Sequence, residues 1–160
     1  MQEKTPPDTS MDSICIKTII GIRKMSRYLD KYSKYLDTKY HVTLPQLLCL
    51  SEVYASGSIT LTELTRRLNM NNSAMTGIID RLESKDLLYR IRKDKDRRTV
   101  CIECTETGRE YTDQLLRVLE TECFFDASRI SERQLFDISE SLERITLSLD
   151  PEVRKISLDD

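Results

Sequence analysis

Apolar side chains recur at helical spacing over most of this chain, and the breaks between the runs mark its elements. From about residue 12 to 38, Ile16, Ile19, Ile20, Met25, Tyr28, Leu29, Tyr32, Tyr35 and Leu36 follow one long helix. The stretch "KYHVT" interrupts it, and Pro45 then suits the first turn of a second helix, because the N–H it lacks would have no partner there. That helix runs to about Ala55, with Leu47, Leu50 and Tyr54 on one side, and "SGS" ends it. Ile59 lies in a segment with too few apolar residues for an independent strand, which leaves a short edge strand. Thr60 and Glu63 form a capping-box pattern opening a short helix with Leu61, Leu64 and Leu68 inward. "NMNNS" breaks it, with Asn71 or Asn72 as the cap of the next helix, in which Ala74, Met75, Ile78, Ile79 and Leu82 repeat every four residues.

The period then changes. "LLYRI" (87–91) and "TVCI" (99–102) have strand composition, and the charged "RKDKDRR" between them reads as a solvated turn. Thr105 caps a further helix with Glu106 at its positive end, and Tyr111, Leu115, Val118, Leu119 and Cys123 share one face. Ser131 and Gln134 form a second capping box. Leu135, Ile138, Leu142, Ile145 and Leu149 follow at spacings of three and four, and Pro151 closes the run. Two helices joined by a tight polar turn and followed by a hairpin make a winged helix-turn-helix within a mostly α (α+β) chain.

Composition changes the picture chiefly through where the charges fall. The 160 residues suit one domain. The formal net charge of −2 hides ten basic against five acidic groups over residues 66–98, and six basic against thirteen acidic over 110–160. From Arg90 to Arg98 eight of nine side chains are charged. A basic segment of this kind is the electrostatic footprint of a polyanion binder. No apolar run approaches the roughly 18 residues of a membrane helix. The polar, Pro-containing start reads as a disordered lead-in (1–11), neither a signal nor a transit peptide, which makes the cytoplasm the expected location. Five scattered cysteines (Cys15, Cys49, Cys101, Cys104, Cys123) argue against a disulfide framework and for reduced thiols.

A winged helix suits duplex DNA. Its second helix fits the major groove, where base edges differ in their donors and acceptors. The residues on its outward first turns are Asn72, Ser73 and Thr76, with Arg81 placed for phosphate a turn further on. Arg66 and Arg67, at the end of the preceding helix, are also expected at phosphates. Lys93, Lys95, Arg97 and Arg98 crowd the hairpin tip, where an arginine can enter the negative minor groove.

These residues carry a specific resemblance. The segment from "SITLTELTRRLNMNNSAM" through "RKDKDRRTVCIECTETG" resembles the winged-helix core of the MarR family of transcription regulators. The family pattern is an acidic residue, one residue, Arg, then a strand ending in Leu-Thr-x-x-Gly. Here Asp96, Arg97 and Arg98 precede the strand, and Cys104, Thr105 and Gly108 end it, with Cys in place of the Leu. The long first helix, "TLPQLL" and the two last helices match in order, so the resemblance covers about residues 12–149. It implies a single domain with the DNA-binding winged helix at about 44–108, dimerisation helices at about 12–38 and 105–149, and a tail at 150–160. It implies that Asp96 pairs with Arg98 and aims it at the minor groove. It implies a homodimer on a palindromic operator, more often a repressor, released by a phenolic small molecule or a redox signal. Gly77 departs from the family, many of whose members carry a larger or basic residue there.

Other chemistry is thinner. Cys15 lies where the hydroperoxide-sensing branch of the family has its reactive cysteine, which makes it a candidate redox sensor, although Leu44 stands where that branch has a tyrosine. Cys101 and Cys104 have the spacing of a zinc or redox pair, but three apart in a strand they point to opposite faces. His41 near Asp37 is a single histidine without a ligand cluster, so no metal site and no cofactor is expected. No Ser-His-Asp set or phosphate-cradling Gly loop is present, and an enzyme is not expected. The competing function is a helical protein-interaction module on the same fold without DNA binding. Acidic residues at the hairpin tip or on the second helix would favour it, and the tip is basic.

Overall fold

The computed structural model describes residues 11–92, 99–121 and 128–148. The chain divides after Pro45 into two compact units. In the first, α1 (Met11–Tyr40) is a single 30-residue helix, two residues longer at its C-terminus than the sequence pattern predicts. It stops at His41, whose φ of 56° is left-handed and whose N–H still reaches the Asp37 carbonyl at 3.0 Å. A Ser33 hydroxyl then accepts the Leu44 N–H at 2.9 Å, securing the chain as it turns into α2 (Leu44–Ser56). Leu36 and Val42 are fully buried, but Ile14, Ile16, Ile19, Ile20, Ile22, Met25, Tyr28 and Leu29 all face solvent. Tyr32 and Tyr35 stack with ring centres 6.1 Å apart, and Lys39 lies over the Tyr35 and Tyr40 rings.

The second unit holds the rest: β1 (Ser58–Thr60), α3 (Leu61–Arg67), α4 (Asn72–Ser84), β2 (Leu88–Arg92), β3 (Val100–Cys104), α5 (Glu106–Thr121) and α6 (Glu132–Leu147). Three antiparallel strands form one sheet in the order β1-β3-β2. Ile59 pairs with Ile102, and Leu88 with Cys104. The three residues around Ile59 thus do form the short edge strand. Because β3 is central and covered on both sides, Cys101, Ile102 and Cys104 are all buried. The two cysteines sit on opposite faces, as alternation along a strand requires. The core gathers Leu47, Cys49, Leu50 and Val53 of α2, Leu64 of α3, Met75, Ile78, Ile79 and Leu82 of α4, and Leu115 of α5.

Several expected inward positions turn out otherwise. Tyr54 is exposed, its hydroxyl 3.4 Å from Asp113. On α5 Gly108, Thr112 and Leu115 are buried, while Tyr111, Val118 and Leu119 are half-buried and Cys123 lies outside the described residues. Thr112 tolerates burial because its hydroxyl donates to the Gly108 carbonyl at 2.7 Å. The capping box of Ser131 and Gln134 opens α6 as expected. Along α6, Leu135 and Ile145 are half-buried, and Phe136, Ile138, Leu142 and Leu147 are exposed. No helix among the described residues is long and apolar enough to cross a membrane.

Candidate nucleic-acid interface

Two side-chain caps set the helix-turn-helix. The Thr60 hydroxyl accepts from the Glu63 N–H at 3.2 Å to start α3, and Asn71 Oδ1 accepts from the Ala74 N–H at 2.6 Å to start α4. Of the two asparagines offered as caps, Asn71 serves, which leaves Asn72 on the first turn. Between the helices Asn69 takes φ = 49°, a left-handed bend that asparagine accepts more readily than most residues. Along α4, Met75, Ile78, Ile79 and Leu82 are buried, and Asn72, Ser73, Thr76 and Arg81 are exposed. The helix therefore presents a short polar face with both donors and acceptors, on its N-terminal half. Gly77 is half-buried, with open space where a Cβ would stand, so packing within the chain does not demand glycine there.

The two arginines expected at phosphates carry partners of their own. Arg66 grips Glu63 with both arms, at 2.9 and 2.6 Å. Arg67 bonds Glu63 at 2.7 Å, Glu52 at 2.5 Å and the Ser56 hydroxyl at 3.3 Å. Hydrogen bonds from Arg66, then Arg67, lower the Glu63 carboxyl to a pKa of about 2. Both guanidiniums remain partly exposed, so each keeps an open side. Arg81 is exposed and has no ion pair among the described residues.

The hairpin is anchored at its base. β2 and β3 pair out to Arg92 opposite Val100. The tip residues Lys93, Lys95, Asp96, Arg97 and Arg98 lie outside the described residues. At the root, the Thr105 hydroxyl accepts from the Gly108 N–H at 2.8 Å and donates to the Asp86 carbonyl at 2.6 Å. The Thr105 N–H meets the Leu87 carbonyl at 3.2 Å. A Cβ added at Gly108 would stand 1.9 Å from that same carbonyl oxygen, so only glycine lets α5 start this close to the end of α4. Thr105 and Gly108 thus join three elements at one point.

Sequence reasoning missed some of these contacts. The Glu63–Arg66–Arg67 set was visible in principle, because residues three and four apart share a helix face. The pairing of Arg90 with Asp80 and Glu83, from strand to helix, left no local signal. Cys15 is exposed on α1, whereas Cys49, Cys101 and Cys104 are buried. Burial, with a smaller contribution from nearby Cys104, pushes the Cys49 thiol up to about 12. Among the described residues no three His, Cys, Asp or Glu side chains gather as a metal site.

Comparison with known proteins agrees with this geometry. A family model described as "MarR family" matches residues 42–100, from two residues before α2 to the first residue of β3. The HTH-type transcriptional regulator SarZ of Staphylococcus aureus (strain USA300) is 28% identical over 114 residues, 71% of this chain and 75% of SarZ. Among solved structures, reduced AbfR bound to DNA superposes with a TM-score of 0.73 at 17% identity, over 86% of this chain and 95% of that one. The regulator BldR from Sulfolobus solfataricus gives 0.70 at 24% identity, over 88% and 100%. The S. aureus MepR–DNA complex gives 0.65 at 21%, over 80% and 95%. The family is one of transcription regulators, not an enzyme family. The helix-turn-helix, the three-stranded sheet with its hairpin, and these likenesses together make the chain similar to the MarR family of winged-helix transcription regulators.

Proposed function

We propose that this chain is a sequence-specific, double-stranded-DNA-binding transcription regulator, acting in the cytoplasm as a homodimeric repressor that a small-molecule or redox signal releases. The observation that carries the reading is α4. One side of the helix is wholly buried, and the other offers Asn72, Ser73 and Thr76 to solvent on its first turns. A helix so mounted can enter a major groove with its polar N-terminal residues against base edges. Arg81, Arg66 and Arg67 would then flank the groove at phosphates, and Lys93, Lys95, Arg97 and Arg98 would follow the backbone, Asp96 aiming Arg98 into the minor groove. The DNA-binding segment is about residues 44–108.

The dimer reading is supported by apolar surface. α1 and α6 each expose large aliphatic and aromatic side chains, among them Ile16, Ile19 and Ile20, and Phe136, Leu142 and Leu147. Surfaces of this kind mark association sites. A twofold dimer through helices at about 12–38 and 105–149 would set two recognition helices about 34–36 Å apart, matched to a palindrome. A signal that alters this spacing would prevent both half-sites from being met together. A phenolic effector between dimer and DNA-binding elements, or oxidation of the exposed Cys15, would supply it.

The test is binding to duplex DNA from upstream of its own gene across a salt series, wild type beside Arg98→Ala. Affinity that falls steeply with salt, and is largely lost in the variant, is expected. A wild type that binds no duplex even at low salt would leave the protein-interaction module as the surviving function.

A further inference from the structure

We propose that Arg90 is a positioning residue that clamps the wing strand to the recognition helix, and that Asp80 and Glu83 stand on α4 to receive it. The inference rests on the DNA-binding reading. Two acids on a helix offered to DNA need a reason, because a carboxylate near phosphates opposes binding. Asp80 and Glu83, three apart, share one side of α4, and both accept from Arg90 of β2. One guanidinium nitrogen donates to Asp80 Oδ1 at 2.7 Å and the other to Glu83 Oε2. The Arg90 backbone N–H donates to Glu83 Oε1 at 3.0 Å.

That last bond shows how the clamp is built. β2 lies at the edge of the sheet, paired on one side with β3. An Arg90 N–H that reaches α4 points away from β3, along the free edge. Glu83 therefore satisfies a backbone donor that a further strand would otherwise take. One residue thus spends its main chain and its planar fork on the same helix, and a fork held at two points fixes direction as well as distance. The contact sits midway along β2, two residues before the strand passes into residues 93–98. It sets the direction in which the wing leaves the sheet relative to the helix beside it. It also removes Arg90 from the basic groups available to phosphate, although the sequence counts it among them.

The two readings of the acids differ in sign. If Asp80 and Glu83 were only charges near DNA, removing either would tighten binding. If they hold the wing, removing either loosens it. Fluorescence anisotropy with a labelled duplex from upstream of the gene, across a salt series, reads this directly. Glu83→Gln is expected to weaken binding about tenfold and the more exposed Asp80→Asn about threefold, the scale of a partly screened, charge-assisted hydrogen bond. The salt slope should stay that of the wild type, because no phosphate contact is lost, and Arg90→Gln should behave like Glu83→Gln. Thermal unfolding of each variant separates weak binding from a lost fold, and Asp80→Asn, which weakens a single bond by removing the charge of its acceptor, remains informative if Glu83→Gln folds poorly. The free protein gives a readout that needs no DNA: the Arg90 amide should exchange slowly in the wild type and faster in Glu83→Ala. Variants binding as tightly as wild type or tighter, a slope lowered by about one in Arg90→Gln, or an unprotected Arg90 amide would each overturn the clamp. A wild type that binds no duplex would overturn the regulator reading instead, with the amide measurement still deciding whether the clamp exists.

Discussion

Replacing Gly108 by alanine sets two principles against each other. Gly108 is the third residue of α5, and in a helix alanine is ordinarily better than glycine by about 0.5–1 kcal/mol. Here the added Cβ would fall 1.9 Å from the Leu87 carbonyl oxygen and 2.8 Å from its carbon, where real Cβ contacts stay beyond 3.0 Å. The backbones must part by about 1 Å. Such a shift takes the 3.2 Å Thr105 N–H to Leu87 bond out of range and strains the 2.6 Å bond from the Thr105 hydroxyl to Asp86. Each lost bond costs about 1 kcal/mol, and forced repacking costs about 1–3 kcal/mol. Set against the propensity gain, Gly108→Ala should destabilise by about 3 kcal/mol, lowering Tm by roughly 6–12 °C for a chain of this length. Urea unfolding followed by circular dichroism, at one protein concentration because the proposed dimerisation would shift apparent stability, measures it. Thr105→Ala, which removes the hydroxyl and the γ-methyl without adding a clash, should cost about 1 kcal/mol. A Gly108→Ala protein as stable as wild type, or more so, would refute the close-approach reasoning and leave helix propensity in charge.

Four further outcomes follow from the same structure. In a Cys123→Ser background a thiol reagent should label Cys15 rapidly in the native state and Cys49, Cys101 and Cys104 only after unfolding. Because the Cys49 thiol is raised to about 12 by burial, stability should fall as pH climbs from about 9, where the unfolded thiol ionises, toward 12; a pH series of unfolding midpoints in wild type and Cys49→Ala tests this. Glu63 runs the other way. Its folded carboxyl is lowered to about 2, so the stability it lends is present above about 4.5 and lost as pH falls toward 2, and the gap in Tm between wild type and Glu63→Gln should close over that interval. Finally, Leu142→Glu on the exposed face of α6 should shift sedimentation from dimer to monomer; an unchanged dimer would move the proposed interface elsewhere.

The elements that periodicity and caps specify were legible in the sequence, and those that depend on distant partners were not. Thr60, Asn71 and Ser131 cap their helices through side chains reaching three residues along, a local event that a local pattern records. The buried stripe of α4 likewise follows from its own spacing. Ile59 could only be suspected as a strand, because three residues become one by pairing with Ile102, some forty residues later. The exposed residues of α4 could be named in advance, since they are what the buried stripe leaves over. The engagement of Arg66 and Arg67 with Glu63 was partly hidden, because Glu52 joins from another helix. Arg90 was misjudged for the same reason: as a letter it adds to a basic cluster, and only the packing of β2 on α4 turns it toward two acids.

Base reading by α4 is tested most directly by the ratio of affinities for the operator duplex and a scrambled duplex of equal length, in wild type, Asn72→Ala and Thr76→Ala. The wild type should prefer the operator by at least about a thousandfold. Each variant should lose about tenfold or more of that ratio, the worth of one base contact, while its salt slope stays unchanged. Equal affinity of the wild type for both duplexes, or variants that keep the full ratio, would contradict the assignment of α4 as the helix that reads the sequence.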